Sequence, residues 1–300
     1  MKYVSNSTSF SDVSVNLAKR TTMIRPIRYL ILMSLGVGLA LGSPTPRLEA
    51  QEASQASRLE QLEQQVWQKR GQRLYRQACA ACHGLRGNGE GPAAQSLHPK
   101  PHDFTKGLYK FRTTPMDAMP TDADLVRTIS EGIPGTVMPA WKRLLSPMQR
   151  LELAHYLKTF AAEKFANTPP APALTLPAAP AVIPARIARG KVIYERLPCG
   201  QCHGLDGRGD GPIARHLRDA WNRPIHPQDF TKGIYKSGDK PEDLLRTILT
   251  GLAGTPMPPW SSVISVEEGW DLVSYICSLS RAGSVWHYLF MTTGESYPGR

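Results

Sequence analysis

Apolar residues along the 300-residue chain recur at helical rather than strand spacing. Leu59, Leu62 and Val66 form one stripe in a Glu-, Gln- and Ala-rich stretch over 50–66, which predicts a leading helix that is mainly solvated. Thr121-Asp122-Ala123-Asp124 is a helix start ahead of Leu125 and Ile129, and Leu244 and Ile248 repeat that spacing. Ser146-Pro147-Met148-Gln149 supplies a cap, a proline at the first helical position and a capping-box glutamine. Ser265-Val266-Glu267-Glu268 gives the same signal before Trp270, Val273 and Ile276. No convincing run of alternating residues predicts a strand. The fold class is all-α, with short helices joined by glycine- and proline-rich loops.

The pattern occurs twice. Arg70-Gly71-Gln72-Arg73-Leu74-Tyr75 returns as Arg189-Gly190-Lys191-Val192-Ile193-Tyr194, and Cys79-Ala80-Ala81-Cys82-His83-Gly84-Leu85 as Cys199-Gly200-Gln201-Cys202-His203-Gly204-Leu205. Each is followed by Gly-x-Gly-x-Gly-Pro, ending at Pro92 and Pro212. Asp103-Phe104-Thr105-Lys106-Gly107 matches Asp229-Phe230-Thr231-Lys232-Gly233, and Gly135-Thr136-Val137-Met138-Pro139 matches Gly254-Thr255-Pro256-Met257-Pro258. This is a tandem duplication with loop insertions. The expected division is a signal peptide at 1–42, a helical polar leader at 43–64, a first domain at 65–166, a linker at 167–185, a second domain at 186–282 and a tail at 283–300. The linker holds six prolines among its 19 residues. Fully extended it reaches ~60 Å, so contact between the domains is allowed but not forced.

The charge pattern at the start of the chain changes the picture. Residues 1–42 carry Lys2, Lys19, Arg20, Arg25 and Arg28 against Asp12, then an apolar run from Tyr29 to Gly42. That run is short for a membrane span and suits the core of a secretory signal, with Met23 as an alternative start. Left uncleaved, residues 24–42 would be a membrane anchor. Its removal takes the formal net charge of +11 down to about +7, enough to assist docking without pointing to nucleic acid. Five cysteines are too few for a disulfide scaffold.

Cys-x-x-Cys-His, present twice, suits one chemistry. Two thiols can add to the vinyl groups of a haem while the adjacent imidazole meets the iron, and glycines after the His let the backbone pass closely. Zinc needs four ligands, and the two Cys pairs are separated by 116 residues. A dithiol redox site would need neither the histidine nor the repeated downstream pattern. The expected cofactors are therefore two covalently attached haem c groups, on Cys79, Cys82 and His83 and on Cys199, Cys202 and His203. Met138 and Met257, in register and followed by Trp141 and Trp260, are the candidates for the second axial ligands; a thioether favours ferrous iron. His98, His102, His216 and His226 compete with them but are expected as loop or surface residues.

These motifs resemble the class I cytochromes c, in the periplasmic form made of two such domains. The resemblance implies a Gly–aromatic helix crossing, matched by Gly71, Tyr75 and Tyr156 and by Gly190, Tyr194 and Tyr275. It also implies a loop proline whose carbonyl accepts the proximal imidazole N–H, a role that falls to Pro92 and Pro212. Trp141, Trp260, Tyr109 and Tyr235 are candidates to flank the haem. Pro198 directly before Cys199 is expected to distort the second helix end. Phe111-Arg112-Thr113-Thr114 has no partner in the second half, where Lys236-Ser237-Gly238-Asp239 stands, which predicts unequal haem potentials. Cys277 aligns with Lys158, which suggests an outward or flanking position. The expectation is an electron carrier, not an enzyme, that serves a redox-protein donor and acceptor. The alternatives are a dihaem cytochrome c peroxidase or a relay subunit of a larger oxidoreductase.

Overall fold

A computed structural model describes residues 46–280. The expected leader at 1–42, the start at Met23 and the tail at 283–300 lie outside the described residues. Contacts divide the chain between Arg58 and Leu59, and both halves of the duplication lie in the second unit. The described residues contain no strand, only one isolated bridge between Arg218 and Pro224.

Helix α1 (Pro46–Ala78) runs without a break through the boundary expected at 64/65. Leu59, Leu62 and Val66 are exposed on it, as their solvated surroundings led us to expect. A short α2 (Ala80–His83) follows, then α3 (Asp122–Glu131), α4 (Pro147–Lys158) and α5 (Ala162–Asn167). The second half repeats the scheme with α6 (Pro184–Arg196), α7 (Cys199–His203), α8 (Pro241–Thr250) and α9 (Val266–Ser278). Thr121 with Asp124, Ser146 with Gln149 and Ser265 with Glu268 all form reciprocal capping boxes, which satisfy amide groups that a helix start leaves free.

Each half builds its core around one helix crossing. A Cβ on Gly71 would run into the Glu152 carbonyl oxygen and the Tyr156 Cβ, and one on Gly190 would meet Asp271 and Tyr275 in the same way. Only glycine lets the backbones approach so closely. Tyr75 then lies 5.3 Å from Tyr156, and Tyr194 lies 5.3 Å from Tyr275, ring centre to ring centre. Tyr75, Phe104, Leu125, Ile129, Leu153 and Leu157 complete the first core. The second is built on Tyr194, Leu245, Ile248, Trp270, Val273 and Ile276. A fully buried Leu, Ile or Val contributes on the order of 1.5–3 kcal/mol.

The halves are joined by more than the chain. Leu174 donates its amide to the Thr113 carbonyl at 2.7 Å, while Leu174, Leu176 and Ala179 pack on the second core. The proline-rich segment is thus docked on both halves. Arg127 of α3 pairs with Asp124 on its own helix and with Asp243 of α8 at 3.5 Å.

Cys277 corrects the outward position suggested for it. It is 1% exposed and lies beside the Tyr235 hydroxyl. The register position that Lys158 uses to reach Asp122 in α4 faces inward here, because α9 is buried along most of its length.

Candidate functional site

The first site forms where α1 ends. The Cys79 amide still bonds to the Tyr75 carbonyl at 2.9 Å, so the attachment motif continues the helical line. In the second half Leu197 is extended (ψ 147°), and the Cys199 amide turns back to Leu197 at 2.7 Å. Pro198 has no amide hydrogen for a helical bond, and the helix end is distorted as expected. Both sites then recover the same geometry. Tyr75 donates to the Gly84 carbonyl at 2.8 Å and Tyr194 to Gly204 at 2.7 Å. The chain turns at Gly89 (φ 73°) and Gly209 (φ 75°), whose amides return to the carbonyls of His83 and His203 at 2.9 and 2.8 Å.

That turn brings in a second segment and settles the histidine tautomer. His83 Nδ1 lies 3.0 Å from the His102 carbonyl, and His203 Nδ1 lies 3.1 Å from that of Gln228. A carbonyl only accepts, so Nδ1 carries the hydrogen and the Nε2 lone pair is left for a metal. These acceptors replace the expected Pro92 and Pro212, which are exposed. The loop there folds back on the attachment helix, with the Gly91 and Ala93 amides on the Cys82 and Ala81 carbonyls; the later Pro101-His102 and Pro227-Gln228 strips pass under the imidazoles. Because a main-chain carbonyl does the work, His and Gln serve equally and no side-chain signal marks the position. The flanking Pro-x-Asp-Phe-Thr-Lys-Gly repeat was the available clue.

His83 stacks on Phe104 at 4.8 Å and His203 on Phe230 at 4.5 Å. Burial lowers both imidazole pKa values, partly opposed by the carbonyl bonds, and keeps the rings neutral as iron requires. Burial also pushes the thiols of Cys79 and Cys199 up to about 11. A dithiol redox centre would need the opposite shift. All four motif cysteines are part-buried beside their histidines.

Two further observations fit a porphyrin. The Tyr109 hydroxyl and Trp141 Nε1 are buried without hydrogen-bond partners, donors of the kind that propionate carboxylates accept. The Met loops are built alike. Ile133 and Leu252 each donate to the carbonyl of Met138 or Met257 at 3.1 Å, while the Thr136 and Thr255 hydroxyls accept the Met amides at 3.1 and 3.2 Å. Trp141 and Trp260 pack on the first and second core. Tyr109 and Tyr235 are buried in those same two cores, whereas His98, His216 and His226 are exposed. His102 departs from the surface position expected of it: its Nε2 is buried, and its ring contacts Phe104, Tyr109 and Trp221.

Two such cradles in tandem define a c-type cytochrome of two haem domains. The chain belongs to the family described as "Cytochrome C oxidase, cbb3-type, subunit III", which matches residues 68–157 and again 185–276. It is 26% identical over 224 residues to the Cbb3-type cytochrome c oxidase subunit CcoP of Azospirillum sp. (strain B510), covering 70% of this chain and 61% of that protein's length. It is 34% identical over 86 residues to cytochrome c55X of Paracoccus denitrificans (strain Pd 1222), 29% of this chain and 67% of that one. A chain of the Kuenenia stuttgartiensis reducing HAO-like protein complex Kustc0457/Kustc0458 shares its fold with a TM-score of 0.68 and 43% identity, over 71% of this chain and 96% of that one. The protein is a c-type cytochrome with two covalently bound haem c groups.

Proposed function

We propose that the protein is an exported relay for single electrons. His83 with Met138 and His203 with Met257 ligate the two irons, and Cys79, Cys82, Cys199 and Cys202 hold the rings through thioethers. The haem supplies a one-electron ferric/ferrous couple. The chain supplies neutral imidazoles of fixed tautomer, thioethers on braced loops, and donors at Tyr109 and Trp141 for the propionates. The observation that carries the reading is the identical hydrogen bonding of the two Met loops. A peroxidase needs one iron with a displaceable sixth ligand, and nothing in the loop construction favours one site over the other.

A dedicated relay subunit is the more specific form of this reading. Two of the similar proteins are named as a cytochrome c oxidase subunit and as part of an HAO-like complex, which supports a redox-protein partner here too. Export rests on the basic and apolar segment at 1–42; no described helix is long and apolar enough to cross a membrane. Intact mass should show two haems, and the ferric spectrum a methionine–iron charge-transfer band from each. A haem without that band, together with turnover of hydrogen peroxide, would move the protein to the peroxidases. Co-purification without crosslinking separates the subunit from a free carrier.

A further inference from the structure

The loop between the attachment motif and the Asp-Phe-Thr-Lys-Gly strip is longer in the second half: Asp229 lies 17 residues after Pro212, Asp103 only 11 after Pro92. The extra residues form a built turn. Asp219 Oδ1 accepts the amides of Trp221 and Arg223 at 3.0 and 2.9 Å, and the Ala220 amide ties the turn to Gly254 at 2.9 Å. The turn presents Trp221 to the other half. Its indole N–H donates to Asp103 Oδ2 at 2.7 Å, its ring stands edge-on to His102 at 6.0 Å, and Lys110 lies over it at 5.9 Å.

Asp103 is the residue after His102, whose carbonyl holds the His83 imidazole. Its other oxygen, Oδ1, accepts the Thr105 amide and hydroxyl at 2.9 and 2.6 Å. Asp229 makes the same two bonds to Thr231, but its Oδ2 lies 3.5 Å from its own neighbour Lys232. Among the described residues, a side chain of the opposite half hydrogen-bonds the aspartate of the first proximal loop, whereas Asp229 has its bonds within its own loop.

We propose that Trp221 is a positioning residue for the first haem: through Asp103 it fixes the His102 carbonyl against His83, so the second domain tunes the first domain's potential. The proposal rests on His83 being that haem's axial ligand. A short Nδ1–H bond to a fixed carbonyl enriches the imidazole in electron density and favours ferric iron. Loosening it raises the potential of that haem alone.

The test is a redox titration of the two-haem protein with Trp221→Phe, which keeps an aromatic ring and removes the N–H. Asp103→Asn is the second variant, since an amide cannot serve both Thr105 and the indole in the same way. Both variants should raise the same midpoint by a threefold to tenfold change in its equilibrium, up to about 59 mV, with the other unmoved. The His83 Nδ1 hydrogen should also exchange faster by NMR, while that of His203 stays protected. A low-spin ferric spectrum of the unmutated protein checks the ligand reading first. With ligation intact, unchanged midpoints, or equal shifts of both, overturn the role of Trp221.

Discussion

Arg112 donates from Nη2 to the backbone carbonyl of Thr250 at 2.8 Å, carrying a cation from the first half to the C-terminus of α8 in the second. A helix end leaves such carbonyls free and attracts positive charge. Arg112 also donates to the carbonyls of Tyr109 and Pro115 at 3.1 and 2.9 Å, and it is only 2% exposed. Arg112→Leu strands three acceptors and should cost about 3 kcal/mol. Urea unfolding measures the loss. Arg112→Lys should recover only part, because an ammonium cannot reproduce the guanidinium fork.

The same cation has no counterpart in the second half, which is a ground for two different haem potentials. Ser237 and Gly238 stand in the second half where Phe111 and Arg112 stand in the first. A buried positive charge disfavours ferric iron, so the two midpoints should differ. Spectroscopic titration should resolve two steps, and Arg112→Leu should lower at least one of them. Two superimposed steps in the unmutated protein would refute this.

Glycine matters unequally along the chain. Gly71→Ala or Gly190→Ala drives a methyl into a backbone carbonyl on the crossing helix and should cost about 3 kcal/mol or more. Gly200, between the second pair of cysteines, has nothing nearer than Leu205 at 3.5 Å. Gly200→Ala should be neutral within about 0.5 kcal/mol or slightly stabilising. Thermal unfolding of the three variants checks the contrast.

Cys277 should be the protein's single titratable thiol once four cysteines are in thioethers, and it should be silent until unfolding. Burial pushes it up to about 12 from an ordinary 9. As pH rises through that window the unfolded chain loses its proton first, so the native state loses stability. A thiol reagent should find none in the native protein and one after denaturation. Cys277→Ala should flatten the alkaline limb of the stability curve.

The capping boxes, the glycine crossings and both attachment motifs were legible because each depends on side-chain identity at fixed spacing. The acceptors on His102 and Gln228 were not, since a carbonyl is common to all residues. Cys277 was misplaced because one helix position was assumed to face the same way in both halves, whereas α4 leaves Lys158 half-buried and paired with Asp122 and α9 is enclosed. Trp221 was overlooked because it sits in an insertion, where comparison of the repeats has nothing to align.

Arg127 on α3 reaches Asp243, the counterpart of its own partner Asp124, much as two protomers of a homodimer meet across a twofold axis. A true twofold axis would make both ends of the pair interchangeable, and electrons could not tell one from the other. Two copies in one chain are free of that constraint. With Arg112 offered only from one side and Trp221 only from the other, the pair has a front and a back.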